Sequence, residues 1–372
     1  LDKYSVTNNQ YLDFVNTNAV WKKSHVLRLF ADSNYLQHWK TDSEFSKDIK
    51  DSPVVNVSWH AAKAYCESQN KRLPFMDEWE YVATFDKGTT KEILEWYGKP
   101  NLKDIPKVGS GVKSSLGVFD VHGLIWEWVF DFNSQFVTGE SRADKGLDRN
   151  LFCGAGALAA GDVDNYAAFM RYSFRSSLKS DYTVANLGFR CAKGEDNSFP
   201  LIAKSPLKWP SNSLFHLTAT WENQDGKKIK LESLAGKTQV VAMMYTNCEF
   251  SCPMIIKNLK SIFSKLEDKK DVEFVLVSFD AKRDDPAALK KYREKHKLDH
   301  QYWTLLHGKK ENIRELAATL GINYQDSPKG EFMHSNTITV LDKTGVVRAQ
   351  IKDLSGADSV VEVVKNLTVA QP

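Results

Sequence analysis

The sequence predicts an α+β first half, poor in regular structure, followed by an α/β second half. Three observations carry that reading. The chain has 372 residues, more than one hydrophobic core ordinarily serves. Periodicity breaks across residues 194–210, where Pro200, Pro206 and Pro210 stand among polar residues. Before the break, aromatics and short polar loops dominate; after it, apolar runs of strand length alternate with helical patterns. The predicted division is a domain over 1–193, a linker over 194–210 and a second domain over 211–372.

In the first half, two helices stand out. Residues 58–70 place Ala62, Tyr65, Cys66 and Gln69 on one face, with Ser58 as the N-cap. A second helix runs from Met76 to Ala83, begun by Pro74 and carrying Trp79. Residues 109–131 read as turns and short strands. With so little regular structure, aromatic packing and a covalent or metallic tie must hold this half together.

The second half is more regular. Strand-like 215–218 and 228–231 flank Asn223-Gln224-Asp225-Gly226, a hairpin signal. Residues 239–245 are an apolar strand. A helix from Pro253 to about Leu266 sets Ile255, Leu259, Ile262, Phe263 and Leu266 in one stripe that faces the core. Residues 271–278 form a second buried strand, 286–296 a charged helix, 303–306 a short strand and 313–320 a helix. Residues 337–341 and 346–351 make a hairpin over Asp342-Lys343-Thr344-Gly345, and 358–367 close the chain. Strands alternating with helices, ended by one hairpin, give the thioredoxin-like pattern.

Composition narrows the function classes. Fifty basic and 47 acidic residues leave a net charge of +3, which makes no case for a nucleic-acid partner. No apolar run is long enough to span a bilayer. The chain opens at Leu1 rather than Met, inside a strand-like run, so we expect N-terminal residues to be missing, an export signal or membrane anchor among them. The five cysteines are Cys66, Cys153, Cys191, Cys248 and Cys252, and an odd number leaves at least one thiol outside any intrachain disulfide. The chain lacks paired Cys-x-x-Cys knuckles, which argues against structural zinc.

The chemistry concentrates in Tyr245-Thr246-Asn247-Cys248-Glu249-Phe250-Ser251-Cys252-Pro253. The two cysteines lie about one helical turn apart, so both sulfurs can share a face. At the first turn of a helix, unsatisfied N–H groups and the dipole stabilise thiolates. Two thiolates are a soft metal-ligand pair, the halves of a redox disulfide, or a staple for the loop. His334, between Met333 and Ser335 and beside strand 337–341, is a candidate third ligand, although a lone histidine is ordinarily structural or solvated. Met333 offers a weak thioether but reads as packing. His216, His296, His300 and His307 have no comparable context and read as surface residues.

Five motifs occur in order in the first half: Val6-Thr7-Asn8-Asn9-Gln10-Tyr11; Pro53-Val54-Val55-Asn56-Val57-Ser58-Trp59; Lys71-Arg72-Leu73-Pro74 with Glu78-Trp79-Glu80-Tyr81; Trp126-Glu127-Trp128; and Asn186-Leu187-Gly188-Phe189-Arg190-Cys191. Through them this half resembles the formylglycine-generating enzyme (sulfatase-modifying factor) family, which implies a C-type-lectin-like fold. Fold does not carry activity over. The family's enzymes use two copper-binding cysteines shortly before the last motif. Here that region reads Tyr166-Ala167-Ala168-Phe169-Met170-Arg171-Tyr172-Ser173-Phe174-Arg175, with Ala167 at the second catalytic position. Cys153, in a stretch that resembles the family's Arg-Gly-Gly-Ser turn, reads as a buried small residue rather than a nucleophile. Leu124 stands where the family has asparagine near a calcium site, and its side chain cannot ligate a hard cation. The half is therefore expected not to form formylglycine. The resemblance also implies a structural disulfide between Cys66 and Cys191, and with it an oxidising compartment; the alternative is two buried thiols. Cysteines for a second disulfide, near Ala83 and Tyr172, are both absent.

In the second half, the cysteine loop, Val277-Ser278-Phe279-Asp280 with Arg283-Asp284-Asp285-Pro286, and His334 before a strand ending Leu341-Asp342-Lys343-Thr344-Gly345 resemble the Sco (SenC) family of copper-delivery proteins. The resemblance implies Cys248, Cys252 and His334 as copper ligands, with Asp280 and Asp284 as carboxylates behind them. Ala281 departs from the proline often found there. Cu(I) prefers thiolates and accepts a neutral imidazole, and the same set can hold Cu(II). Three residues between the cysteines, and His334-Ser335 facing them, favour metal over general disulfide exchange. A Cys248–Cys252 redox disulfide would have to be reduced before Cu(I) could bind.

The expectation is a copper-binding accessory protein, periplasmic or otherwise exported, that delivers copper to a copper enzyme or reduces its copper-site disulfide. Cytochrome oxidase is one client type. Copper nitrite reductase is another, because formylglycine-type proteins with a run like 169–178 are associated with it. The first half would be a docking module. The alternatives are a thiol–disulfide oxidoreductase, a formylglycine-type copper oxidase acting on protein cysteine, and a lectin-like binding protein.

Overall fold

The computed structural model describes residues 1–85, 90–98, 104–134, 166–194, 208–248, 251–326, 331–352 and 357–369. Cys153, most of the expected linker, and Glu249 and Phe250 of the cysteine loop lie outside the described residues. The chain divides into two compact units, Leu1–Phe132 with Ala160–Ser205 and Asn133–Ala159 with Pro206–Pro372.

The first unit contains helices α1 (Asn8–Thr17), α2 (Trp59–Ser68), α3 (Met76–Ala83), α4 (Thr90–Tyr97) and α5 (Tyr166–Ser176). Its strands β1 (Trp126–Glu127) and β2 (Leu187–Gly188) pair in parallel. Helix α2 begins at the expected cap, where the Ser58 hydroxyl accepts from the Ala61 N–H. Helices α1, α4 and α5 exceed the two helices expected from periodicity. Helix α1 is set by a capping box: Thr7 Oγ1 accepts from Gln10 N, and Gln10 Oε1 accepts from Thr7 N. Helix α5 occupies the run without cysteines. Its Arg171 and Arg175 both donate to the Glu80 carboxylate on α3, and both lie over the Trp79 ring.

A buried ion pair ties three of the sequence motifs together. Glu127 and Arg190 are fully buried and meet at 2.8 Å. Trp79 Nε1 and Ser5 Oγ each donate to Glu127 at 2.7 Å, and Arg190 Nη2 donates to the Phe119 carbonyl at 2.9 Å. With those groups satisfied, the attraction offsets the cost of removing both charges from water. Cys66 of α2 and Cys191, three residues past β2, form a disulfide. Leu124 packs in an apolar cluster with Val55 and Ile125.

The second unit is built on a sheet that has seven strands among the described residues. They are β3 (Thr220–Asn223), β4 (Lys228–Lys230), β5 (Thr238–Met244), β6 (Val272–Ser278), β7 (Trp303–His307), β10 (Ile338–Leu341) and β11 (Val347–Ile351). Their order is β11-β10-β5-β6-β7-β3-β4. Strands β5, β6 and β7 run parallel, while β10 and β3 add antiparallel on either side. A separate hairpin pairs β8 (Tyr324–Asp326) with β9 (Phe332–His334). The helices are α6 (Ser251–Lys265), α7 (Pro286–Lys295), α8 (Lys310–Thr319) and α9 (Ala357–Val369). This is the thioredoxin-like fold. The α6 stripe faces the core as expected, with Ile255, Leu259, Ile262 and Leu266 buried.

Two expectations need correction. The strand expected at 215–218 begins instead at Thr220, after a 3-10 turn at Leu214–His216. Buried residues alternate through Phe215, Leu217, Ala219 and Trp221, so the period-two signal runs on past the segment that pairs. The turn sets the register: Asn223 Oδ1 accepts from the N–H groups of Asp225 and Lys227, and Gly226 takes a φ of 74°. Of the histidines expected at the surface, His300 is exposed, but His216, His296 and His307 are half-buried.

Candidate metal centre

Parallel strands place their C-terminal ends together, and loops from those ends build the site. Strand β5 ends at Met244 opposite Ser278 of β6, and the Phe279 N–H donates to the Met244 carbonyl at 2.8 Å. The chain then passes through Tyr245 and Thr246 to Cys248 and enters α6, whose first turn holds Cys252. The Cys252 N–H donates to Cys248 Sγ at 3.4 Å. Both cysteines are buried thiols, not joined in a disulfide. Helix-terminal N–H groups at this point favour negative charge on sulfur.

The β8–β9 hairpin brings in the third residue. His334 pairs with Tyr324 at the end of β9 and is fully buried. Its Nε2 lies 3.7 Å from Cys252 Sγ, and its Nδ1 faces the Ser335 carbonyl at 3.4 Å. A proton on Nδ1 would leave the Nε2 lone pair aimed at the sulfur. One donor atom each from Cys248, Cys252 and His334 falls within 4.8 Å of the others. Two sulfurs and an imidazole nitrogen form a donor set for a soft or borderline metal ion.

The two aspartates differ. Asp284 is fully buried and fastens the cysteine loop, accepting from the Thr246 N–H at 2.9 Å, from the Thr246 hydroxyl and from the Ser278 hydroxyl. Burial raises its carboxyl above the usual range, against those hydrogen bonds. Asp280 instead shapes its own turn, accepting from the N–H groups of Lys282 and Arg283 and pairing with the Arg283 guanidinium. Met333 sits between Phe332 and His334 in β9, where strand alternation turns it to the opposite face.

Three residues were given no role by the sequence reading, although two of them, Tyr245 and Phe279, stand in the motifs it quotes. Phe279 packs on His334 with centroids 5.0 Å apart, and Tyr245 meets the same ring edge-on at 6.1 Å. Burial, then the neighbouring cysteines, raise the Tyr245 and Tyr292 phenols far above their ordinary value. Tyr245 ends the strand expected over 239–245 and Phe279 follows the one expected over 271–278, so their positions were legible and only their packing on His334 was not. Tyr292 carries no signal in the sequence.

A family model for the sulfatase-modifying factor enzyme 1-like domain matches residues 1–195, and one for SCO1/SenC matches residues 212–369. The SCO1 protein homolog of Bacillus subtilis is 31% identical over 144 residues, which cover 38% of this chain and 73% of that protein. The inactive C-alpha-formylglycine-generating enzyme 2 of Bos taurus is 31% identical over 164 residues, 38% of this chain, and the match spans 50% of that relative's length. Among solved structures, a SCO1/SenC family lipoprotein from Bacillus anthracis str. Ames aligns at 28% identity with a TM-score of 0.39, covering 44% of this chain and 98% of its own.

Proposed function

The chain belongs to the sulfatase-modifying factor family through residues 1–195 and to the SCO1/SenC family through residues 212–369, and from that premise we propose that it is a copper-carrying accessory protein. Cys248, Cys252 and His334 are its copper ligands. The observation that carries this reading is the convergence of those three buried side chains, one on a strand-end loop, one on a helix and one on a distant hairpin. Copper is cargo: Cu(I) would be held by two thiolates and the imidazole and passed to a client. Asp284 fastens the cysteine loop to the end of β6, through Thr246 and Ser278. A Cys248–Cys252 disulfide would block loading, so reduction gates the site.

The division into a formylglycine-type domain over 1–193, a linker and a Sco-type domain over 211–372, with a C-type-lectin-like fold for the first, belongs to the same proposal. The first domain serves recognition rather than catalysis. Ala167 at the second catalytic position and the cysteine-free run 166–175 support that reading. The disulfide Cys66–Cys191 supports an exported, periplasmic location. Among the described residues, no helix is long and apolar enough to cross a membrane.

The client is an exported copper enzyme of the cytochrome oxidase or copper nitrite reductase type. Incubation of the reduced, Cu(I)-loaded chain with the copper-free soluble domain of each client type tests this. Transfer of copper to one of them, lost with Cys248→Ser, is the expected result. Retention of copper with both client types would contradict delivery. The thiol–disulfide oxidoreductase reading is the second, because both thiols lie at one helix N-terminus; it predicts turnover of a disulfide substrate without copper.

A further inference from the structure

We propose that Arg314 sets the charge at the metal centre: a buried guanidinium that pairs with no carboxylate among the described residues, it biases the Cys248–Cys252–His334 site toward cuprous copper. This inference rests on the copper reading above. Arg314 stands on α8 and is 4% exposed. Its guanidinium carbon lies 3.7 Å from the centroid of the Tyr324 ring. Nη1 donates to the Tyr324 carbonyl and to Asn133 Oδ1, each at 3.1 Å, while Nε is buried with no hydrogen-bond partner. Asn133 falls in the same compact unit and donates its own Nδ2 to the Ile322 carbonyl at 2.8 Å. Among the described residues, no carboxylate pairs with Arg314.

A buried cation held by a ring face, a carbonyl and an amide is costly, and packing alone would be served by leucine or methionine. The charge has a short, dry path to the site. Tyr324, under the guanidinium, pairs with His334 across β8–β9. Phe279 spans the same pair, 4.9 Å from Tyr324 and 5.0 Å from His334 between ring centroids. All three rings are buried, so water screens the field little.

The sign follows from charge counting. Two thiolates and a neutral imidazole carry net −1 with Cu(I) and zero with Cu(II). A fixed positive charge stabilises the more negative state, so Arg314 favours the one-electron-reduced form. No bond or proton changes hands. One unit charge at roughly 10 Å, at an effective dielectric of about 20, shifts the Cu(I)-to-Cu(II) preference roughly ten-fold.

Two variants of the full-length chain separate charge from packing. Arg314→Met removes the charge and keeps an apolar stem. Asn133→Asp leaves Arg314 in place and gives it a carboxylate at hydrogen-bonding distance. The readout is the ratio of Cu(I) to Cu(II) dissociation constants, the first from competition with a chromogenic chelator and the second from sulfur-to-copper charge-transfer absorption. Both variants should shift the preference toward Cu(II) by roughly ten-fold, whereas Arg314→Lys should hold it. If Arg314→Met fails to fold, Asn133→Asp decides alone. An unchanged ratio in Asn133→Asp, or a shift toward Cu(I), overturns the proposal while leaving the copper reading standing. A wild-type chain that binds no copper overturns both.

Discussion

Nε2 of His334 lies 3.7 Å from Sγ of Cys252, across 82 residues of sequence. Neither residue could reach the other without the sheet. Cys252 is placed by the end of β5 and the start of α6, His334 by a two-strand hairpin outside the main sheet. The metal centre therefore depends on groups that hold the cysteine loop and the hairpin in register.

On the cysteine side, Asp284 fastens the loop to the end of β6. Asp284→Ala would remove the acceptor of the Thr246 N–H, the Thr246 hydroxyl and the Ser278 hydroxyl, the first two half-buried and the last fully buried. The expected loss is about 1–3 kcal/mol per group left unsatisfied, with weaker Cu(I) binding alongside. Urea unfolding and Cu(I) competition on the same sample check both effects. Asp280→Ala, which disturbs only its own turn and the Arg283 pair, should affect copper far less.

The first unit should be sensitive to loss of its buried ion pair. Arg190→Met leaves the Glu127 charge with only Trp79 and Ser5 as donors. Breaking such a pair from one side costs about 3–5 kcal/mol. A fall in the first unfolding transition, with the second unit's transition in place, is the expected calorimetric result.

Acid should weaken the same unit. Burial first, then neighbouring cations, hold His122 down to about 3 and His38 to about 4. In the unfolded chain each titrates near the ordinary histidine value of about 6.5, so below that pH the unfolded state binds more protons. Stability is therefore full above about pH 6.5 and falls as pH drops toward about 4, by up to about 1.4 kcal/mol per pH unit for each histidine. His122→Asn should flatten the slope of unfolding free energy over that window.

Much of the second unit was legible because its signals are local. The apolar stripe of α6 and the cysteine spacing follow from one helical turn. Proline at the start of α7, with Asp285 as its cap, marks that helix outright. What escaped depends on register or on polar ends. Helix α1 carries a capping box at Thr7 and Gln10, but only Tyr11, Phe14 and Val15 of its apolar face are buried, a stripe too short to stand out. Phe279, Tyr324 and Arg314 come together through strand pairing and ring stacking, which no spacing along the chain encodes.

The Cys66–Cys191 disulfide closes a separation of 125 residues. Chain entropy alone gives it about 4–5 kcal/mol in the first unit. The Cys66→Ala, Cys191→Ala double variant should lower that unit's melting temperature and leave Cu(I) binding at Cys248 and Cys252 intact. Parallel scanning calorimetry and chelator competition check the separation of roles.

The central claim is that Cys248, Cys252 and His334 form one copper site. Titration of Cu(I) into the fully reduced chain, in competition with a chromogenic chelator, tests it most directly. The account predicts tight binding of one equivalent in the wild type, with most of the affinity lost in both Cys248→Ser and His334→Ala. Absence of tight binding, or binding left unchanged by either substitution, would contradict it.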